Sequence, residues 1–143
     1  MAVITFATDS TSLILNGTSL VDFIEGDFVE LNPVNPLTSH VNSANGGVNI
    51  NKRVDGGVHD LIVRVQKGSN SDVFLNSAMN QESPVVFNGS VKEDFNRDGT
   101  ASAESYTLEN GSLTTRPSNK KNNQDGDAVM EYTIRFRNAT RNI

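Results

Sequence analysis

The stretch that decides the fold is GGVHDLIVRVQKGSNSDVFLN, residues 56–76. Within it, Leu61, Val63 and Val65 alternate with mostly polar residues, which is the period of a strand with one buried face. Lys67-Gly68 then interrupts the alternation, and the residues that follow carry apolar side chains at helical spacing. The stretch therefore predicts a half-buried strand, a tight turn and a helix, in that order.

The second half of the stretch predicts one short helix over about residues 71–81. Asn70 or Ser71 can accept hydrogen bonds from the free amides of its first turn, where Asp72 also places a favourable negative charge. The apolar side of this helix comprises Phe74, Leu75, Ala78 and Met79. Pro84 marks its outer limit.

The rest of the chain consists of short strand patterns separated by turns. Residues 12–15 and 20–24 are joined by Asn16-Gly17, a strong hairpin signal, and Asn110-Gly111 predicts a second reversal. Residues 130–136 show the clearest late alternation of apolar and polar side chains. These patterns predict a mainly β fold, a β-sandwich or barrel of about seven to eight strands with one short packed helix.

The length of the chain, 143 residues, is that of a single domain spanning 1–143. Two polar segments interrupt the strand patterns: a long loop at about residues 32–47 and an insertion at about 117–127. No apolar run approaches the ~20 residues of a membrane span. The first residues also lack the pattern of an export signal, so we expect no membrane anchoring.

The composition argues against catalysis. The chain contains no cysteine, which excludes disulfides and thiolate metal sites. Its two histidines, His40 and His59, are not spaced as metal ligands, and neither a Gly-x-Ser-x-Gly elbow nor a glycine-rich phosphate loop occurs. We therefore predict a protein that is not an enzyme and that uses no cofactor.

One motif leaves an alternative function open. Residues 94–99, DFNRDG, fit the first half of a calcium-binding loop, but the twelfth position is Ser105 where a bidentate glutamate is needed. An Asx-rich turn between strands explains the same residues. The alternative is a monomeric β-sandwich binding module associated with carbohydrate or calcium.

Charge is distributed unevenly along the chain. The net charge is −5; residues 1–51 carry five acids and no Lys or Arg, and residues 52–143 carry twelve acids and twelve bases. This asymmetry predicts a subunit that docks an acidic surface against a basic surface of a neighbour. The candidate inter-subunit charge contacts are Asp22, Glu25, Asp27, Glu30, Arg135 and Arg137.

The run from Gly57 to Asn76 resembles the strand-to-helix passage of small bacteriophage tail tube proteins. The similarity is greatest to those of contractile tails, which are related to the tube proteins of type VI secretion. The layout is also similar: an opening hairpin, a long loop before the central strand, Pro84-Val85-Val86-Phe87 after the helix, and a final amphipathic strand at 130–136.

This resemblance implies a structural subunit of homohexameric rings that stack head to tail, with a lumen that conducts DNA into the host cell without binding it specifically. Sheath, tape-measure and baseplate proteins would be its partners, the virion tail its location, and the host bacterial cytoplasm its place of assembly. Another ring component of a tail or secretion system is a further alternative. A lumen that passes DNA should be polar, with acids outnumbering bases, because each basic residue that neutralises a phosphate adds affinity.

The resemblance also implies that a long loop reaches into the adjacent ring. Because the segment has no periodic apolar face, we expect it to be mobile in the monomer and ordered by that contact. Its residues here are Leu37, Thr38, Ser39, His40, Val41, Asn42, Ser43, Ala44, Asn45, Gly46 and Gly47.

Overall fold

The computed structural model of the chain describes residues 1–121, 123 and 128–143, with Thr8 described by its backbone. Within these residues it has nine strands and one helix. They are β1 (Ile4–Leu15), β2 (Thr18–Leu20), β3 (Val29–Pro33), β4 (Thr38–Asn42), β5 (Val48–Lys52), β6 (His59–Gln66), α1 (Asn70–Met79), β7 (Phe87–Arg97), β8 (Thr100–Thr115) and β9 (Val129–Asn142). The prediction of a mainly β fold with one short helix is confirmed.

Seven strands form one antiparallel sheet in the order β2-β1-β7-β8-β9-β6-β3, and β4 and β5 form a separate hairpin. The large sheet curls into a sandwich-like shape without closing into a barrel. Residues 22–28 run beside β6, where the Gln66 N–H donates to the Asp22 carbonyl (2.9 Å) and the Arg64 N–H donates to the Phe28 carbonyl (2.8 Å).

The concave side of the sheet holds the core. Every second residue of β6 and β9 points into it, as the alternating patterns predicted. The buried apolar residues are Leu13, Leu15, Leu20, Leu61, Val63, Val65, Leu75, Phe87, Leu108, Met130, Tyr132, Ile134 and Phe136. The apolar side chains predicted for the helix, Phe74, Leu75, Ala78 and Met79, all belong to or pack against this cluster.

The helix begins one residue earlier and ends two residues earlier than predicted. Ser69 is its N-cap, and its hydroxyl accepts a hydrogen bond from the Asp72 N–H (3.3 Å), a role predicted for Asn70 or Ser71. Ser71 is instead buried, and its hydroxyl donates to the Val21 carbonyl (2.6 Å) and accepts from the Val21 N–H (2.8 Å). This pair of bonds ties α1 to the residue that follows β2.

A second polar contact ties α1 to β9. The Tyr132 hydroxyl donates to Asp72 Oδ1 (2.5 Å), and Asp72 Oδ2 accepts from the Gly68 N–H (2.8 Å). Burial raises the pKa of Tyr132, and the Asp72 carboxylate raises it further. The phenol therefore stays protonated and keeps this contact at neutral pH.

The two predicted Asn-Gly reversals have different outcomes. Asn16 (φ 50°) and Gly17 (φ 79°) form the turn between β1 and β2, as predicted. The reversal predicted at Asn110-Gly111 is wrong, because β8 runs through both residues. There the positive φ of Asn110 (55°) accompanies a bulge against β7, and Gly111 lies under the ring of Phe136, where a Cβ would be only 2.4 Å away.

The two predicted polar segments have different outcomes. The loop at 32–47 is wrong as an irregular segment, because it contains the end of β3 and all of β4, which pairs with β5. The segment has no alternation of apolar and polar residues from which a strand could be predicted, because both faces of this hairpin are largely exposed. The insertion at 117–127 has residues 122 and 124–127 outside the described part of the chain.

Gly89 marks a close approach between β1 and β7. A Cβ at this position would lie 1.9 Å from the carbonyl oxygen of Ile14, which is backbone and cannot move independently. We expect Gly89→Ala to lower the free energy of unfolding by about 3 kcal/mol or more, because the two strands must separate. Urea unfolding measures this loss.

Ser90→Ala, on the next residue of the same strand, is the matched control and should stay within about 0.5 kcal/mol of wild type. Equal stability of Gly89→Ala and Ser90→Ala would contradict the close approach.

Candidate assembly surfaces

The hairpin of β4 and β5 projects as an arm, defined here as residues 37–53. Its base is closed by a hydrogen bond from the Arg53 N–H to the Leu37 carbonyl (3.0 Å). Its tip is a turn in which the Ser43 N–H donates to the Gly47 carbonyl (2.8 Å) and the Gly47 N–H donates to Ser43 Oγ (3.0 Å). The predicted inter-ring residues Leu37 to Gly47 therefore make up one strand and the tip of this arm.

The arm carries apolar side chains without a core of its own. Val48 and Ile50 share one face of β5 and are 53% and 65% exposed, while Val41 on the other face is 56% exposed. An isolated two-stranded hairpin is marginally stable in water. These exposed apolar groups are therefore suited to contact with a second protein surface.

The outward side of β3, β6 and β9 forms a second surface, here called the charged face. Arg64 Nε donates to Glu131 (3.0 Å) and Arg64 Nη2 reaches Glu30 (3.5 Å). Arg135 makes two bonds to Asp60 (2.8 and 3.1 Å). The charged face consists of Glu30, Asp60, Arg64, Glu131, Arg135 and Arg137.

Cross-strand register creates these ion pairs. Asp60 lies directly opposite Arg135, and Arg64 lies directly opposite Glu131, so each pair needs no backbone adjustment. Desolvation lowers the pKa of Arg64, but the bonds to Glu131 and Glu30 raise it, and the net change is upward. Each of the three acids of this face, Glu30, Asp60 and Glu131, is therefore paired with an arginine of the same chain.

The structure divides the predicted inter-subunit charges into two groups. Glu30 and Arg135 are engaged in intrachain pairs. Asp22, Glu25, Asp27 and Arg137 are exposed and make no ion pair with any described residue. The second group is therefore the one available for a neighbour.

Both ends of the seven-stranded sheet have backbone edges that no other described strand covers. β3 is paired only with β6, and β1 is paired with β2 only through its last three residues, Leu13 to Leu15. A bulge interrupts β1 between Phe6 and Thr11. Uncovered edges present unpaired N–H and C=O groups and are surfaces for strand addition.

The residues considered for metal or catalytic chemistry do not converge. His40 lies on the arm and His59 at the start of β6, where its Nδ1 donates to the Gly57 carbonyl (2.7 Å). Residues 94–97 are the end of β7 and pair with β8, and Asp98 and Gly99, both with positive φ, form the hairpin turn. Among the described residues, no group of three or more His, Asp or Glu is placed to hold a metal ion. The part of the chain that the structure describes also contains no helix that is long and apolar enough to cross a membrane.

Three solved structures share this fold over nearly their whole length. The tube-terminating cap of the anti-feeding prophage matches with a TM-score of 0.66 at 14% identity, covering 96% of this chain and 91% of that chain. The sheath–tube complex of the extracellular contractile injection system PVC, in its extended state, matches with a TM-score of 0.64 at 8% identity, covering 96% and 91%. The PVC sheath/tube terminator matches with a TM-score of 0.64 at 8% identity, covering 97% of both chains.

No protein-family model and no curated protein sequence matches the chain. The likeness is therefore one of structure, and it establishes the fold. The chain has the fold found in chains from the tube and cap parts of contractile injection systems, which confirms the resemblance noted in residues 57–76 at the level of fold.

Because the acids of the charged face hold its arginines, we expect the protein to gain affinity for a polyanion such as DNA when these acids are neutralised. In Asp60→Asn/Glu131→Gln, Arg135 and Arg64 lose their closest carboxylates and become available to phosphates. We expect the double variant to bind DNA in low salt, with an affinity that falls steeply as salt rises, while the wild-type protein does not bind. Fluorescence anisotropy with a labelled duplex measures this.

Glu25→Gln/Asp27→Asn changes the net charge equally but leaves the charged face intact, so it serves as the control. DNA binding by both double variants alike would show that net charge, and not the ion pairs, excludes the polyanion.

Proposed function

We propose that this chain is the structural subunit of a contractile-type tail tube, in which hexameric rings stack and conduct DNA into the host cell. The observation that carries the proposal is the match to tube and cap structures over at least 96% of the chain. The arm, the uncovered edges and the charged face each supply what such an assembly requires.

Ring formation would use the uncovered edges. The edge of β3 on one subunit would pair with the first part of β1 on the next, so that six subunits share one continuous sheet. Rotational symmetry then covers the edge of β3 and the first part of β1 in every subunit, which removes both as sites of aggregation. The bulge between Phe6 and Thr11 would set the angle between neighbouring sheets, because bulges bend and twist a strand.

Stacking would use the arm. It connects the end of β3 to the start of β6, so it lies at that end of the two strands. The exposed Val41, Val48 and Ile50 would then be buried against the next ring. Because these side chains are 53–65% exposed, burying the remainder contributes about 1–2 kcal/mol each, before the cost of association.

The charged face would line the lumen, since it lies on the strands that flank the arm. It holds three acids and three arginines, so acids do not outnumber bases as the sequence led us to expect. Pairing acts in the same direction, because two of the three arginines, Arg64 and Arg135, are held by carboxylates, while Arg137 lies at the end of the face that borders residues 52–54 and 138–141. Such a wall is hydrated and close to neutral, so DNA can slide along it.

The partners in this proposal are other copies of the chain, a sheath, a tape-measure protein and a baseplate. The location is the virion tail, with assembly in the bacterial cytoplasm. A second candidate is a ring that terminates the tube, favoured by the likeness to the anti-feeding prophage cap and to the PVC terminator. A terminator would form single rings but would not add further copies of itself.

Negative-stain electron microscopy of the untagged protein at high concentration tests the proposal. We expect six-fold rings and tubes with a central hole. Single rings that never stack would favour the terminator. A uniform monomer at every protein and salt concentration would overturn both and favour the alternative of a monomeric β-sandwich binding module.

Excising the arm separates stacking from folding. Leu37 and Arg53 are hydrogen-bonded neighbours, so Thr38–Lys52 can be replaced by an Asn-Gly turn without moving the sheet. We expect a melting temperature within a few degrees of wild type, because the arm's apolar residues are exposed, together with loss of tubes but not of rings. Thermal unfolding and electron microscopy measure the two effects.

The control is Ala44→Gly/Asn45→Gly, which alters only the tip of the arm. Unfolding of the excised variant would show that the arm belongs to the core, and normal tubes would show that it does not connect rings.

A further inference from the structure

We propose that rings engage through a specific charge contact, in which an acidic loop of one copy enters a basic groove of the copy above it. This inference rests on the proposed function and adds the residues that would give stacking its direction. The acidic loop is defined as residues 22–27, and the basic groove as the concavity between the base of the arm and β9.

The acidic loop presents three carboxylates, Asp22, Glu25 and Asp27, on an irregular backbone. Asp22 (φ 61°) and Gly26 (φ 86°) both adopt positive φ, so the loop bends sharply between β2 and β3. All three carboxylates are on exposed residues. The nearest lysine along β6, Lys67, directs its ammonium group to the Lys120 carbonyl (3.2 Å).

The basic groove has a volume of about 580 Å³ and lies at the other end of β6. Lys52 and Arg137 line it, and neither makes an ion pair with a described residue. Arg53 and Arg141 line it too, but Asp55 and Glu104 hold them in place. Of the described residues that line the groove, Glu109 is the one acid.

The relative position of loop and groove indicates a head-to-tail contact. Residues 22–24 lie beside Gln66 and Arg64, whereas the groove includes His59 at the start of the same strand. The seven residue steps of β6 separate the two ends by roughly 23 Å. A surface at one end that complements a surface at the other end makes a heterologous contact, which repeats along a stack and cannot close as a dimer.

A second copy of this chain is therefore the occupant that the charges specify. In this contact, three carboxylates would face two cations, none of which has an ion pair with a described residue of its own chain, and both surfaces belong to every copy. The groove also contains the exposed Leu37 and Val54, which the same contact with a second copy would partly cover. Charge complementarity of this kind fixes the register of a contact and disfavours the inverted orientation.

Charge reversal tests the contact. We expect Lys52→Glu/Arg137→Glu and Glu25→Lys/Asp27→Lys each to weaken self-association at least about tenfold, because like charges then face each other. A chain carrying all four substitutions has both surfaces inverted and should assemble again. Sedimentation velocity across protein concentrations measures association, and thermal unfolding confirms that each variant folds.

Arg116→Glu is the control, since Arg116 lies beside the end of α1 and outside the groove. Lys52→Gln/Arg137→Gln provides a milder change if the reversed pair does not fold. Assembly of the reversed variants at wild-type strength would overturn the contact while leaving the tube function standing. Self-association that depends on these charges but never gives rings would support the contact and overturn the tube function. A wild-type protein that never self-associates would overturn both.

Discussion

The antiparallel pairing of β6 with β9 is the interaction on which the rest of the structure depends. Eight residue pairs join the two strands in unbroken register, from His59 opposite Phe136 to Gln66 opposite Val129. On one side this register brings Leu61, Val63 and Val65 against Ile134, Tyr132 and Met130 in the core. On the other side it sets the ion pairs of the charged face. A slip by one residue would exchange the two sides, so the core and the polar surface are specified together.

That pairing also positions the parts of the molecule that contact other copies. β6 is preceded by the arm and followed by α1, and its two ends carry the acidic loop and the basic groove. Tyr132 on β9 and Val21 after β2 are both bonded to α1, through Asp72 and Ser71. The helix therefore connects the end of β2, near the acidic loop, to β9 in the middle of the sheet. Because the two ends of β6 carry different surfaces, the two ends of the subunit also differ.

The charged face shows how a surface can contain arginines and still be unsuited to hold DNA. Exposed ion pairs contribute little to stability, commonly less than about 1 kcal/mol each. Their role here would be to occupy the guanidinium groups, since a paired arginine has fewer donors left for a phosphate. Counting charges along the sequence gives the net value but not this pairing, which exists only because β6 lies between β3 and β9.

The sequence by itself determined the strand at 59–66, the helix after it, the turn at Asn16-Gly17 and the buried face of β9, because each depends on local periodicity or turn chemistry. It also indicated the fold class through residues 57–76. Only the tertiary structure decided that Asn110-Gly111 is a bulge, that residues 38–42 are half of a projecting hairpin, and that Glu30 and Arg135 have partners within the chain. These features depend on which distant strands lie side by side, and local patterns contain no information on that pairing.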